Sequence, residues 1–381
     1  MTGEPTMHPR ITRLYVNNYR CLVNFELRPE RRTLLLGYNG AGKSSVCDVL
    51  DAIRSLVVFN ADAKEAFPAS TVTKFSGASK QRVELDVETD RGVLRYVLLL
   101  AHDLEKKTVT IALEELNFDD KPAYRFVDGE VQLYGEDGTP VREPFPSSPQ
   151  RSFLAAFDPK DPRAPIASFK EFIQHCWIVR LDPSHLGASA PEEAAGLDRS
   201  GANFSPFYRF LSLDRPDRMG RAYDELREII PGFQHLRMQS AGRAKVLMAT
   251  FRYPGGDGYD LDFDALSDGQ KALVVLYVLL HGVARDLPVL CLDEPDNFVS
   301  LREIQPFLVA LDKISDETGL QVLLISHSPE VIDYVADSGA ILLERPDGGY
   351  TRVRTIAATG ALRLSELMAR GWLPGGSDGT G

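Results

Sequence analysis

The sequence predicts an α/β fold in which a mixed central sheet is joined by an antiparallel β subsheet and a helical insertion. Three observations carry that prediction. Three apolar runs, Thr33–Leu36, Val289–Leu292 and Gln321–Ser326, each stop at a group of chemically active residues, the pattern of buried parallel strands whose C-terminal ends hold a site. The first run opens into a glycine-rich loop and a predicted helix, Gly37-x-x-x-x-Gly42-Lys43-Ser44 and 43–56. The runs Val83–Val87, Val93–Leu100 and Thr108–Leu116 alternate with the period of half-buried antiparallel strands.

In chain order, the glycine-rich loop comes first. Its glycines allow successive backbone N–H groups to curl around a phosphate, and the following helix presents its N-terminus to the anion. Asn39, Gly40, Ala41, Gly42, Lys43, Ser44 and Ser45 are therefore the expected nucleotide-binding residues. Lys43, read as an exposed loop lysine, is expected to reach the β- and γ-phosphates, and Ser44 to hold Mg²⁺. After the alternating strands, Gly138–Pro165 carries Pro and Ser too densely for regular structure. Helical segments are expected at Ser168–Gln174 and within Asn203–Ile230, with an apolar strand at Cys176–Val179 and a mobile surface loop over 186–202.

Leu266-Ser267-Asp268-Gly269-Gln270 precedes a very apolar helix, Lys271–Val283, so the Ser267 hydroxyl and the N–H groups of Gly269 and Gln270 sit at a helix N-terminus suited to an anion. Val289–Leu292 then ends in two carboxylates. Asp293 is expected to orient the Mg²⁺ shell and Glu294 to polarise the attacking water. A helix over roughly 301–315 leads to Gln321–Ser326, and His327, about 34 residues after Asp293, stands just past that strand's end, where it would contact the γ-phosphate or the water. The catalytic candidates are thus Glu294, His327 and Lys43, with Ser44 and Asp293 on the metal. A strand at Ala340–Leu343, a polar turn at 346–349, a strand at Tyr350–Ile356, a short amphipathic helix at Ala361–Ala369 and a Gly-rich tail follow.

Composition narrows the function classes. The 381 residues carry a net charge of −11, which weighs against indiscriminate coating of DNA, since nonspecific binding draws on phosphate neutralisation. Two basic groups, Arg28/Arg31/Arg32 and Arg237/Arg243/Lys245/Arg252, read best as solvated surface, while leaving a local nucleic-acid contact possible. The longest apolar run, Ala272–Leu280, is too short to span a bilayer, and Met1–Arg10 has no apolar signal core, so a cytoplasmic location without a membrane partner is expected. Four separated cysteines, Cys21, Cys47, Cys176 and Cys291, fall on predicted core strands or the phosphate-loop helix and read as reduced thiols. No heptad pattern or internal repeat is present.

The segment Leu266–Gln270 resembles the signature motif of ABC-type ATPases, which closes over the nucleotide of a partner subunit. Together with the phosphate loop, Asp293-Glu294 and His327, it makes the chain similar to the ABC-class AAA ATPase domains of the OLD (overcoming lysogenization defect) nucleases and their stand-alone relatives, cousins of the SMC and RecF ATPases. Ile11–Arg20, with its Asn-aromatic-Arg turn, Ser200–Phe204 and Leu226–Phe233 extend the likeness to roughly residues 10–345. Asp268 stands where transporters usually have glycine. Asp296 and Asn297 follow Pro295 at the place of the D-loop, and Gln174 is the candidate for the Q-loop glutamine.

The resemblance implies a P-loop NTPase fold of the ABC/SMC type and an ATPase that takes ATP and Mg²⁺ and forms an ATP-dependent homodimer. The implied division is 1–100 and 256–360 as the two parts of the ATPase core, 101–255 as a β/helical insertion lobe, and 361–381 as a C-terminal helix and flexible tail. About 54 residues follow His327 and hold no clustered acids or histidines for the TOPRIM nuclease of OLD proteins, so the effector is expected to be a separate protein. Two readings follow: a regulatory ATPase gating a separate effector such as a nuclease of prokaryotic phage defence, or a DNA-binding repair ATPase like RecF.

Overall fold

The computed structural model describes residues 8–74, 77–158, 164–242, 244–335, 339–356 and 363–369. At its centre lies a six-stranded sheet in the order Cys176–Val179, Val289–Asp293, Gln321–Ile325, Arg32–Leu36, Ala340–Glu344 and Arg352–Ile356. The first five strands are parallel and the last pairs antiparallel. Each central strand is apolar on both faces, as a sheet covered on both sides requires. Leu35, Cys291, Leu323 and Ile341 point into one core, while Leu34, Leu36, Leu292, Leu324 and Leu342 point into the other.

The first core is closed by the Lys43–Val57 helix and by an eight-stranded antiparallel sheet. That sheet runs Phe25–Leu27, Arg10–Asn17, Lys80–Thr89, Gly92–Asp103, Thr108–Phe118, Lys121–Val127, Glu130–Leu133 and Phe145–Pro146. It contains the three alternating strands expected from the sequence. A buried carboxylate ties it together: Glu114 accepts hydrogen bonds from the Tyr96 hydroxyl at 2.8 Å, the Tyr124 hydroxyl at 2.8 Å and the Ser152 hydroxyl at 2.7 Å. Burial pushes its pKa up despite these three donors.

The second core is closed by the helices Phe204–Asp214, Pro216–Ile229, Asp268–Gly282 and Leu301–Thr318, and by a small antiparallel sheet of Ser189–Ala190, Phe233–Ala241, Ala244–Arg252 and Gly258–Asp262. The Asp268–Gly282 helix is buried over almost its whole length, which explains why it is apolar all round. The strand Gly92–Asp103 runs through residue 100, and Cys176–Val179, inside 101–255, is an edge of the central sheet.

Several local expectations are corrected. The segment 186–202 is packed and not a loose loop: Leu186, Ala188, Ala190 and Leu197 are buried, and Ser189–Ala190 pairs with Lys245–Val246. Small residues there read as flexible, yet they permit close packing against the neighbouring strand. The Pro-rich stretch holds regular structure, a two-residue strand at Phe145–Pro146 and a helical turn at Phe153–Ala156 capped by Ser152. Residues Asn203–Ile230 form two helices because Pro216 cannot continue the first. All four cysteines are free and buried, but Cys21 lies in the turn after Arg10–Asn17 and on no strand. The Gly-rich tail, Arg243 and the first two residues of the expected Ala361–Ala369 helix lie outside the described residues; the helix is present at Leu364–Ala369. No helix among the described residues is long and apolar enough to cross a membrane.

Candidate functional site

The C-terminal ends of three adjacent central strands converge on one cleft of about 700 Å³. Its walls include the phosphate loop from Asn39 to Ser45, together with Arg20, Lys74, Arg180, Glu294, His327 and Arg345. The loop conformation demands glycine at two points. A Cβ on Gly37 would lie 2.3 Å from the Leu343 carbonyl oxygen, and one on Gly42, at φ 102°, would meet the Thr351 hydroxyl at 2.8 Å and the Cys21 sulfur at 2.9 Å. Gly42 is also the N-cap of the Lys43–Val57 helix, and neither a side-chain cap nor an acidic residue occupies the first turn. That leaves the helix N-terminus available to an anion.

Lys43 is 5% exposed, which corrects the expectation of an exposed loop lysine. Its ammonium folds back and donates to the Gly37 carbonyl at 2.6 Å and the Tyr38 carbonyl at 3.2 Å. Burial lowers its pKa, opposed by the carboxylates of Glu294 and Asp293. Ser44 donates its hydroxyl proton to Asp293 Oδ1 at 3.3 Å. Asp293 is buried and its Oδ2 has no hydrogen-bond donor. Burial pushes its pKa up, against the pull of Arg180 and Ser44. A buried carboxylate oxygen without a donor, beside a serine hydroxyl and an open helix N-terminus, fits a hard cation carried with a phosphate.

Glu294 has a left-handed backbone, φ 56°, unusual for a residue with a Cβ and a local cost of about 1–2 kcal/mol. Its N–H nonetheless donates to the Ile325 carbonyl at 2.8 Å, so the strand end holds it there. Its side chain is gripped from three sides: His327 Nε2 lies 3.2 Å from Oε1, Asn297 Nδ2 donates to Oε2 at 2.8 Å, and Arg180 Nη2 stands 3.5 Å from Oε2. Asp296 accepts from the Ser326 hydroxyl at 2.8 Å, linking the turn after Glu294 to the strand before His327.

The structure thus brings together Lys43, Ser44, Asp293, Glu294 and His327. It does not bring Ser267, Gly269 or Gln270 to this cleft. Those three open the Asp268–Gly282 helix through a capping box, in which Ser267 Oγ accepts from the Gln270 N–H at 3.3 Å and Gln270 Oε1 accepts from the Ser267 N–H at 3.0 Å. Ser267 and Asp268 face solvent, and Gly269 is pressed against the chain after Glu294, where an added Cβ would come within 2.7 Å of the Phe298 carbonyl oxygen.

Gln174, the Q-loop candidate, is misplaced: it ends the Pro165–Gln174 helix ahead of the Cys176–Val179 strand and does not line the cleft. The residue at the cleft end of that strand is Arg180. Sequence reasoning missed it, and also missed Arg199, which pairs with Asp48 at 2.5 Å and approaches Asp51 and Asp293 at 3.8 and 3.7 Å. Arg20 contacts the same Asp48. The available signal for Arg180 was an apolar strand ending in a charge, the pattern that identified Asp293.

The solved structures that resemble the chain agree on the fold. The SMC head bound to the C-terminal winged-helix domain of ScpA covers 94% of this chain and 99% of its own, at 16% identity and a TM-score of 0.55. The SMC head with an extended coiled coil, bound to the C-terminal domain of ScpA and derived from Pyrococcus furiosus, covers 95% and 98% at 13% identity and 0.56. The SMC head with a coiled coil and joint from Pyrococcus yayanosii covers 92% and 97% at 10% identity and 0.57. Among curated proteins, the methionine import ATP-binding protein MetN 2 of Pectobacterium atrosepticum is 35% identical over 77 residues, 20% of this chain and 22% of that protein. The chain has the mixed α/β fold of an ABC/SMC-type P-loop ATPase head. A family model described as "AAA domain, putative AbiEii toxin, Type IV TA system" matches residues 32–333, and the chain belongs to that family.

Proposed function

We propose that this chain is a cytoplasmic ATPase that binds Mg-ATP, dimerises around it, hydrolyses it, and through that cycle gates a separate effector such as a nuclease of a prokaryotic defence system. The observation that carries the reading is a division of labour. Phosphate loop, carboxylates and histidine share one cleft, whereas the exposed Ser267 and the helix N-terminus it caps lie away from it, which in this reading leaves them for a nucleotide held by a second copy.

In this reading Lys43 leaves the Gly37 and Tyr38 carbonyls for the β- and γ-phosphates, a relay between acceptors that keeps its buried ammonium hydrogen-bonded throughout. Ser44 and Asp293 would hold Mg²⁺, which neutralises phosphate charge when bound. Glu294 orients the attacking water and accepts its proton, while His327, already beside that carboxylate, stabilises charge that builds on the γ-phosphate.

The effector half of the proposal draws on the family description, which names a toxin, and on the ScpA domains bound by two of the similar SMC heads. The alternative of a DNA-binding repair clamp has less support. Three members of the basic groups that could track a phosphate backbone are paired with acids: Arg28 with Glu26, Arg32 with Asp312 and Asp316, and Arg237 with Asp260.

Mixing Lys43→Ala with Ser267→Arg tests the dimer. Each variant alone should be inactive. The mixture should recover about one working site per heterodimer, because one site then combines both intact halves. Mixed variants that recover no ATPase activity would refute the composite site.

A further inference from the structure

We propose that Arg180 reads the terminal phosphate of the nucleotide, so that the site discriminates triphosphate from diphosphate through this side chain; the inference rests on the nucleotide-site reading above. Arg180 is the first residue beyond Cys176–Val179, the strand paired in parallel with Val289–Asp293, so it emerges beside Asp293. Its guanidinium lies 3.8 Å from Asp293 Oδ2 and 3.5 Å from Glu294 Oε2. Both separations exceed the roughly 2.7–2.9 Å of a tight charge-assisted bond, so neither carboxylate holds it firmly. The side chain is half exposed and lines the cleft with Lys43, Ser44, Glu294 and His327.

Charge explains why a cation belongs there. A γ-phosphate entering the cleft meets the carboxylates of Asp293 and Glu294, and Lys43 is held on the side of the loop carbonyls. Arg180 stands next to the carboxylates themselves. Its planar fork suits two oxygens of one phosphate, and a phosphate facing the fork offers a doubly charged acceptor instead of two monoanions at 3.5 and 3.8 Å. ADP leaves that position empty and leaves Arg180 on Glu294. The exchange has a second effect, since Glu294 then keeps His327 on Oε1 and Asn297 on Oε2, and the second acceptor position on Oε2 that Arg180 faced is open to water.

Arg199 does not share this role. It is mostly buried and committed to Asp48 at 2.5 Å. Nor does Arg345, whose guanidinium is spent on the carbonyls of Gly40, Gly348 and Gly349 at 3.0, 2.7 and 2.8 Å.

The test compares equilibrium binding of Mg-ADP and of a Mg-bound non-hydrolysable ATP analogue to the wild type, Arg180→Ala, Arg180→Lys and Lys43→Ala. Arg180→Ala should weaken the analogue by at least about tenfold, the scale of one charged contact, and change ADP by less than about twofold. Arg180→Lys should recover part of the loss, because it restores the charge without the fork. Lys43→Ala should lose both nucleotides. Equal weakening of ADP and analogue in Arg180→Ala would overturn the assignment, as would wild-type affinity for both while Lys43→Ala binds neither. Failure of the wild type to bind either nucleotide would overturn the nucleotide site and Arg180 with it.

Discussion

Replacing Gly269 by alanine should slow ATP turnover without removing ATP binding. Gly269 lies in the first turn of the Asp268–Gly282 helix, where alanine is the better helix former by about 0.8–1.0 kcal/mol. Against that gain, the new Cβ would sit 2.7 Å from the Phe298 carbonyl oxygen, and an ordinary contact begins at 3.4 Å. Backbone must yield by about 0.7 Å, an overpacking cost of about 1–3 kcal/mol. The net is a loss of no more than about 2 kcal/mol, a few degrees in Tm for a chain of this size. The chain that gives way begins one residue after Asn297, whose amide donates to Glu294 Oε2 at 2.8 Å. A shift of that size carries the bond beyond 3.2 Å and loosens the group that orients water. Misplacement of this order costs about tenfold to a hundredfold in rate. Steady-state ATPase assays, with analogue binding and Tm on the same preparations, give the answer, and Asn297→Ala should reproduce part of the effect by removing the same bond without the clash. Turnover within about twofold of wild type in Gly269→Ala would refute the mechanical link between the signature helix and Glu294.

Glu294→Gln should keep Mg-ATP binding, lose at least about a hundredfold in hydrolysis, and trap a dimer visible by light scattering. Normal hydrolysis in that variant would shift the leading role to His327 and make His327→Ala decisive. Glu114 has a raised pKa in the fold, so the folded chain retains a proton that the unfolded chain releases. Its contribution to stability is complete below the ordinary glutamate value of 4.5 and is lost as pH rises through the folded pKa. Denaturant titrations of the wild type from pH 4.5 upward should show that decline, and Glu114→Gln should flatten it. Glu114→Ala should cost about 3–6 kcal/mol, because three buried hydroxyls, those of Tyr96, Tyr124 and Ser152, lose their acceptor.

The chemistry of the cleft was legible where it depends on short, local strings. A glycine-rich turn between an apolar strand and a helix constrains its own backbone, and two acids after a continuous apolar run have nowhere to go but the strand's ligand-facing end. The parallel strands and the alternating meander were legible for the same reason, since period and apolar length are local properties. What depends on tertiary placement was hidden. The burial of Lys43 follows from packing of the helix start beneath the loop, and a Gly-Ala-Ser-Ala string such as Gly187–Ala190 gives no sign that it pairs with Lys245–Val246. Gln174 and Arg180 lie six residues apart, yet only the second stands at the cleft, because the strand between them carries the chain from the N-terminal to the C-terminal end of the parallel strands.

The order of the central sheet has a consequence for how the protein is made. The strand Arg32–Leu36 hydrogen-bonds on one side to Gln321–Ile325 and on the other to Ala340–Glu344. On a translating ribosome it therefore emerges without either neighbour, and at about 5–20 residues per second the first arrives tens of seconds later. The meander from Lys80 to Leu133 pairs with segments adjacent in the chain and can close as it leaves the exit tunnel. The nascent chain thus carries a finished antiparallel half beside an apolar strand with two open edges, the kind of surface that chaperones cover. The nucleotide cleft, which draws its walls from both ends of the chain, is among the last parts to exist.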